Sequence, residues 1–221
     1  MKGFTVGIVH TSFALVEMLN TLIKKEMEDA QIVNIVDDTT LSYVRENGVD
    51  AILTRRMWTY FLAAEQAGAN VILNACSSVG ETVDVARKLT SIPILKIDEP
   101  MAEKAVALGQ RISVLATVPT TIGPTCRLLE LKAQEAGVDL QLEPQVCEGA
   151  FDLLLAGRVE EHDRMVTKTV MDAAKNSQVI VFAQASMSKL AERLAPTIDI
   201  PLLSSPRLAV ERLAEYRQKI Q

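Results

Sequence analysis

Apolar residues along this chain fall into short blocks, and most of the blocks end in a cluster of polar ones. Thr5 to Val9, Ile32 to Val36, Val71 to Asn74 and Ile94 to Ile97 are such blocks in the first half. Ile112 to Ala116, Leu140 to Leu142, Val179 to Phe182 and Pro201 to Leu203 follow in the second. They are too short for helices, and the run from Val71 is β-branched at its start, which predicts buried parallel strands. Between them the apolar positions recur at helical spacing. Leu15, Met18, Leu19 and Leu22 predict a helix to about Glu28, and further helices are expected over 51–67, 82–89, 101–108, the stretch up to Ala136, and 160–175. Gly68, Gly109 and Gly137 stand where three of these should stop. Strands alternating with helices give an α/β fold with open, mostly parallel sheets.

The plan occurs twice. Cys76 and Gln184 are 108 positions apart, and so are Ile92-Pro93-Ile94-Leu95 and Ile200-Pro201-Leu202-Leu203. Gln31 to Val36 shifted by 108 lands on Asp139 to Pro144, while Ile8 and Val114 are 106 apart. A duplication into two pseudo-symmetric, Rossmann-like lobes with four-stranded sheets explains these offsets, since solenoid arrays need three or more shorter units.

Ligands of such sheets bind beyond the carboxyl ends of the strands. The polar residues at those exits are His10, Thr11, Ser12, Cys76, Ser77, Ser78, Asp98 and Glu99 in the first half, and Thr117, Thr120, Thr121, Gln184 and Ser186 in the second. If the halves face one another, the exits line one cleft. Val71-Ile-Leu-Asn74-Ala-Cys76-Ser77-Ser78-Val-Gly-Glu81 is the most informative stretch: a cysteine at a strand's exit, with Ser78 and Glu81 at capping-box spacing. The free amides of a helix start can hold an anion there; the alternative is a small apolar residue beside a cap. His10 is either an acid/base group or a hydrogen-bonded rim histidine. Asp98 and Glu99 are either a carboxylate base or the cap of the next helix. His162, in Glu160-Glu161-His162-Asp163, reads as part of a solvated face, and Trp58 as a packing or oligomer contact.

With 48% hydrophobic residues the chain can bury a proper core. The net charge of −5 and the interspersed signs offer no stripe for a phosphate backbone, so no nucleic-acid partner is expected. No apolar run reaches membrane-spanning length. Three cysteines at 76, 126 and 147 form no C-x-x-C pair and fit a reducing compartment, so a cytoplasmic location is expected. No metal site is expected.

Asn74-Ala-Cys76-Ser-Ser78 resembles the first cysteine motif of the aspartate/glutamate racemase superfamily, which includes hydantoin racemases, maleate isomerases and arylmalonate decarboxylases. Val181-Phe-Ala-Gln184-Ala185-Ser186-Met187 is similar to its second motif, and Thr117, Thr120 and Thr121 to its threonine-rich loop. The resemblance implies a cofactor-independent isomerase of two lobes, residues 1–98 plus 205–221 and residues 99–204, and a homo-oligomer. It further implies a small carboxylate substrate between the lobes and two cysteines exchanging a proton at its α-carbon. Substrate binding would fall to Thr11, Ser12, Asn74, Ser77, Ser78, Thr117, Thr120, Thr121, Gln184, Ala185 and Ser186, and catalysis to Cys76 with His10 or Asp98. The second cysteine position is Gln184, and an amide cannot act as a base near neutral pH. A one-thiol isomerase, a decarboxylating lyase and a carboxylate-binding protein therefore all remain open, with the isomerase favoured by the family. Cys126 and Cys147 match no motif position and should serve packing.

Overall fold

The structure, a computed structural model, describes residues 3–220. The chain forms two compact units: one runs to Ile97 and resumes at Pro206, and the other spans Asp98 to Ser205. The first holds β1 (Thr5–His10), α1 (Val16–Glu26), β2 (Gln31–Val36), α2 (Thr40–Asn47), α3 (Ala51–Gln66), β3 (Val71–Asn74), α4 (Glu81–Ala86) and β4 (Ile94–Lys96). The second holds α5 (Glu99–Leu108), β5 (Arg111–Ala116), α6 (Ile122–Ala136), β6 (Gln141–Val146), α7 (Ala150–Leu155), α8 (Val159–Ala173), β7 (Val179–Phe182), α9 (Ser188–Leu194) and β8 (Leu202–Leu203). All but the first residue of α10 (Ser205–Ile220) returns to the first unit.

Both sheets are four-stranded and wholly parallel, in the orders β2-β1-β3-β4 and β6-β5-β7-β8. The two-lobed α/β reading of the sequence is therefore correct. Burial explains why some strands were easy to read. Every residue of β1, β3 and β7 is buried, as is all of β5 after Arg111, because helices cover both faces of a central strand. The edge strands β2 and β6 are half-exposed and carry polar residues. The expected strand Leu140 to Leu142 accordingly understates β6, which starts at Gln141 and extends to Val146 through Glu143 and Pro144. Proline is tolerated because β6 pairs only with β5.

The repeat is less regular than a single offset. The first strands of the two sheets are 106 apart (5 to 111), the second 110 (31 to 141), and the third and fourth 108 (71 to 179, 94 to 202). The expected partner of β2, Asp139 to Pro144, is thus displaced by two residues. The cause is local: α6 has 15 residues where α1 has 11, about one extra turn. Gly137 ends it in the left-handed conformation (φ 67, ψ 33) that glycine adopts without a steric penalty.

In the first unit, Leu53, Met57, Phe61 and Ala64 form the buried stripe of α3 and pack with Val9, Ile72, Val83 and Ile94. Asp50 caps α3, its side chain accepting from Leu53 N at 2.7 Å. Gly7 lets α3 approach β1 closely: a β-carbon there would lie 2.8 Å from Ala64 Cβ. In the second unit, Val166, Val170 and Ala173 of α8 pack with Leu115, Ile180, Phe182 and Leu190.

Candidate active site

In each sheet the chain runs outward from its first strand in one direction and later returns to that strand's other side. The exits of β1 and β3, and of β5 and β7, therefore flank a topological switch point, where open α/β sheets hold ligands.

In the first unit, Val9 stands beside Asn74 in the ladder, so the two exits lie side by side. Asn74 is fully buried and its Nδ2 donates to the Cys76 carbonyl at 2.9 Å, tying the strand's end to the turn that follows. Cys76 is extended (φ −140, ψ 117) and half-buried against the unit's core. Ser77 to Val79 then form a 3-10 turn, with Gly80 N donating to Ser77 O at 3.0 Å. Ser78, which has capping-box spacing to Glu81, does not stand at the cap position of the next helix. Ser78 lies inside that turn, and α4 starts at Glu81 with Gly80 at its cap position and no side-chain cap.

His10 ends β1 and is 2% exposed. Asn34 Nδ2 donates to Asn20 Oδ1 at 3.1 Å, so Asn34 Oδ1 faces His10 Nε2, 2.9 Å away. With the Asn34 oxygen as its partner His10 Nε2 donates, which leaves Nδ1 as the acceptor, buried and without a hydrogen-bond partner among the described residues. Burial pushes the imidazole pKa below its ordinary value, and the Asn34 bond opposes this only in part. Neutral His10 is thus able to take a proton at Nδ1. Asn20 and Asn34 were missed by sequence reasoning; the available signal was a polar Asn34 inside the apolar strand Gln31–Val36. Thr11 is buried and Ser12 half-buried at the same exit.

The exit of β2 was read only as a strand end. There Asp37 accepts from Tyr60, Thr40 and Thr39 and pairs with Arg56. Burial works against its charge, but those hydrogen bonds hold the carboxyl far below the usual carboxylate range. The cluster ties the β2 exit and the start of α2 to α3. Trp58, on α3, is half-buried against the same core.

In the second unit, Gln184 occupies the counterpart of the Cys76 position, with nearly the same backbone (φ −133, ψ 125) and a 3-10 turn at Ala185–Met187. Its Oε1 accepts from Thr117 N at 2.6 Å, Thr117 Oγ1 at 3.1 Å and Val118 N at 3.1 Å. The exits of β5 and β7 are thereby joined. Thr121 Oγ1 donates to Val118 O at 2.9 Å, while Thr120 and Ser186 are exposed. Asp98, 4% exposed, stands at the start of α5 without capping it. The buried Glu99 is 3.0 Å from Lys132 Nζ, so its charge is matched within the unit.

His162 departs from expectation. It is 5% exposed, not part of a solvated face, and its Nδ1 lies 2.8 Å from Asp163 Oδ1. The helix turns it inward next to Val166, one turn on, although its neighbours in sequence are charged. Burial pushes the Cys126 and Cys147 thiols up from their ordinary pKa. Among the described residues, no three His, Cys, Asp or Glu side chains group as a metal site would, and no helix is long and apolar enough to cross a membrane.

Residues 6–213 match the family model described as Asp/Glu/Hydantoin racemase. None of the curated proteins matches the sequence. Among solved structures, a candidate Asp/Glu racemase from Yersinia pestis is similar with a TM-score of 0.78 at 16% identity, over 97% of this chain and 99% of that one. An allantoin racemase from Klebsiella pneumoniae gives 0.73 at 17% identity, over 98% and 89% of the two chains. A glutamate racemase isoform from Bacillus anthracis gives 0.74 at 14% identity, over 100% and 84%. At these identities the structures share a fold.

Proposed function

The chain belongs to the Asp/Glu/hydantoin racemase family, enzymes of the isomerase class, and we propose that it is a cofactor-independent isomerase of a small carboxylate acting through Cys76. One observation carries the reading: at a single switch point a partly accessible cysteine, in a turn anchored by Asn74, stands beside an exit that bears a neutral, base-competent His10. In this reading Cys76 exchanges the proton at the substrate's α-carbon or adds to a double bond and leaves again. His10 Nδ1 and Asp98 are the candidates for a second proton-transfer group, and Thr11 with Ser12 for holding carboxylate oxygens.

A second reading, a lyase of the same superfamily, draws on Gln184. With an amide in the second motif, one thiol is enough to protonate a single face after bond cleavage, whereas racemisation needs a base on each. Incubation with a panel of small chiral and unsaturated carboxylates in deuterated water separates these readings. Deuterium uptake with loss of optical purity supports racemisation, double-bond movement supports isomerisation, and loss of carbon dioxide supports a lyase. Cys76→Ala should abolish each. Turnover that survives Cys76→Ala refutes the assignment.

A further inference from the structure

The two cysteine-type turns are built alike and filled differently. In the second unit, three donors converge on one oxygen: the successive main-chain amides of Thr117 and Val118 and the Thr117 hydroxyl, all within 3.1 Å of Gln184 Oε1. Paired main-chain amides of this kind form a concavity suited to an anionic oxygen. The neutral carboxamide oxygen is a weaker acceptor than a carboxylate, since hydrogen bonds to an ionised group are about twice as strong. The orientation of the amide is settled by the donors themselves. Its –NH2 group has no lone pair to offer two N–H groups, so the oxygen must face them.

We propose that Gln184 is an internal ligand: its carboxamide oxygen fills an anion-binding nest formed by Thr117 and Val118, and so keeps small carboxylates out of the second unit's switch point. The first unit offers no carboxamide at the matching position. At the matching position stands Cys76, whose side chain ends at the sulfur and carries no carbonyl. The strand offset of 106 sets Thr11 and Ser12 against Thr117 and Val118. The asymmetry separates one unit whose donors are satisfied by the chain from one that presents a thiol. The inference rests on hydrogen bonds within the second unit and does not depend on the isomerase reading.

The test is a titration of the full-length, 15N-labelled protein with sodium acetate, with sodium chloride as the ionic-strength control. In the unsubstituted protein the Thr117 and Val118 amide resonances should not respond. In Gln184→Ala both should move saturably downfield as acetate replaces the missing oxygen, the other amides keeping their positions. In Gln184→Glu the new carboxyl should enter the nest and titrate below the ordinary glutamate value of about 4.3. Silence of both amides in a folded Gln184→Ala protein overturns the proposal; so does a Gln184→Glu carboxyl that titrates at or above the ordinary value. Equal acetate responses with and without Gln184 overturn it too, because the side chain would then exclude nothing. If Gln184→Ala fails to fold, Gln184→Glu decides alone. Neither readout requires turnover, so a failed isomerase assay and a failed nest are separate results.

Discussion

Gly7→Ala offers a quantitative test of how α3 is seated on β1, the strand that ends in His10. The added β-carbon would lie 2.8 Å from Ala64 Cβ, 3.1 Å from Ala69 Cβ and 3.6 Å from Ile72 Cγ1. Saturated carbons rest about 3.5–4.0 Å apart, so α3 or β1 must yield by roughly 1 Å at Ala64. Neither moves freely, because Leu53, Met57 and Phe61 on the same helix are fully buried. Overpacking of this kind costs about 1–3 kcal/mol. Replacing glycine also stiffens the unfolded chain, which returns about 0.4–1 kcal/mol where the backbone is unstrained. A net loss of about 1–2 kcal/mol follows. Urea unfolding followed by the fluorescence of Trp58 measures it where it acts, since the chain's single tryptophan sits on α3 against this core. Ala64→Gly alone should cost about 1 kcal/mol in helix propensity. Combined with Gly7→Ala it should cost less than the sum, because it removes the nearest clash. A Gly7→Ala protein as stable as the parent, or strict additivity with Ala64→Gly, would refute this account of the contact.

Three further outcomes are expected. Because burial lowers the His10 pKa, the unfolded chain binds more protons than the folded one between that lowered value and about 6.5. The contribution to stability is therefore complete above about pH 6.5 and is lost as pH falls, at no more than about 1.4 kcal/mol per pH unit. His10→Gln should flatten this part of a stability–pH curve, and identical slopes in the two proteins would contradict it. Lys132 lies between Glu99, Glu103 and Glu135; burial lowers its pKa, but the carboxylates outweigh burial and raise it. Lys132→Ala removes the cation 3.0 Å from the buried Glu99 and should cost about 3 kcal/mol in denaturant unfolding, and adding Glu99→Gln should recover part of that. Alkylation at neutral pH with peptide mapping should label Cys76 before Cys126, and Cys147 last, because burial raises the latter two thiols and Cys147 is 4% exposed. Faster labelling of Cys147 would be incompatible with this fold.

The central strands were legible in the sequence because a strand buried on both faces must be apolar along its length, and β1, β3 and β7 are. The duplication was legible through matched spacings, and the exit of β3 because a polar cluster interrupts an apolar run at Asn74 and Cys76. What escaped depended on neighbours distant in the chain. The length of β6 was hidden because an edge strand, exposed on one face, needs no apolar run. His162 looked solvated because its sequence neighbours are charged, whereas burial follows the side of the helix it occupies. The bare Nδ1 of His10 is set by Asn34 and Asn20, 24 and 14 positions apart along successive links of the chain of hydrogen bonds. Gln184 was recognised from sequence as an amide where a thiol was expected, yet its oxygen's commitment to donors 66 and 67 residues away is a tertiary fact. Residue type sets what a group can do; the partner that folding places within about 3 Å decides what it does.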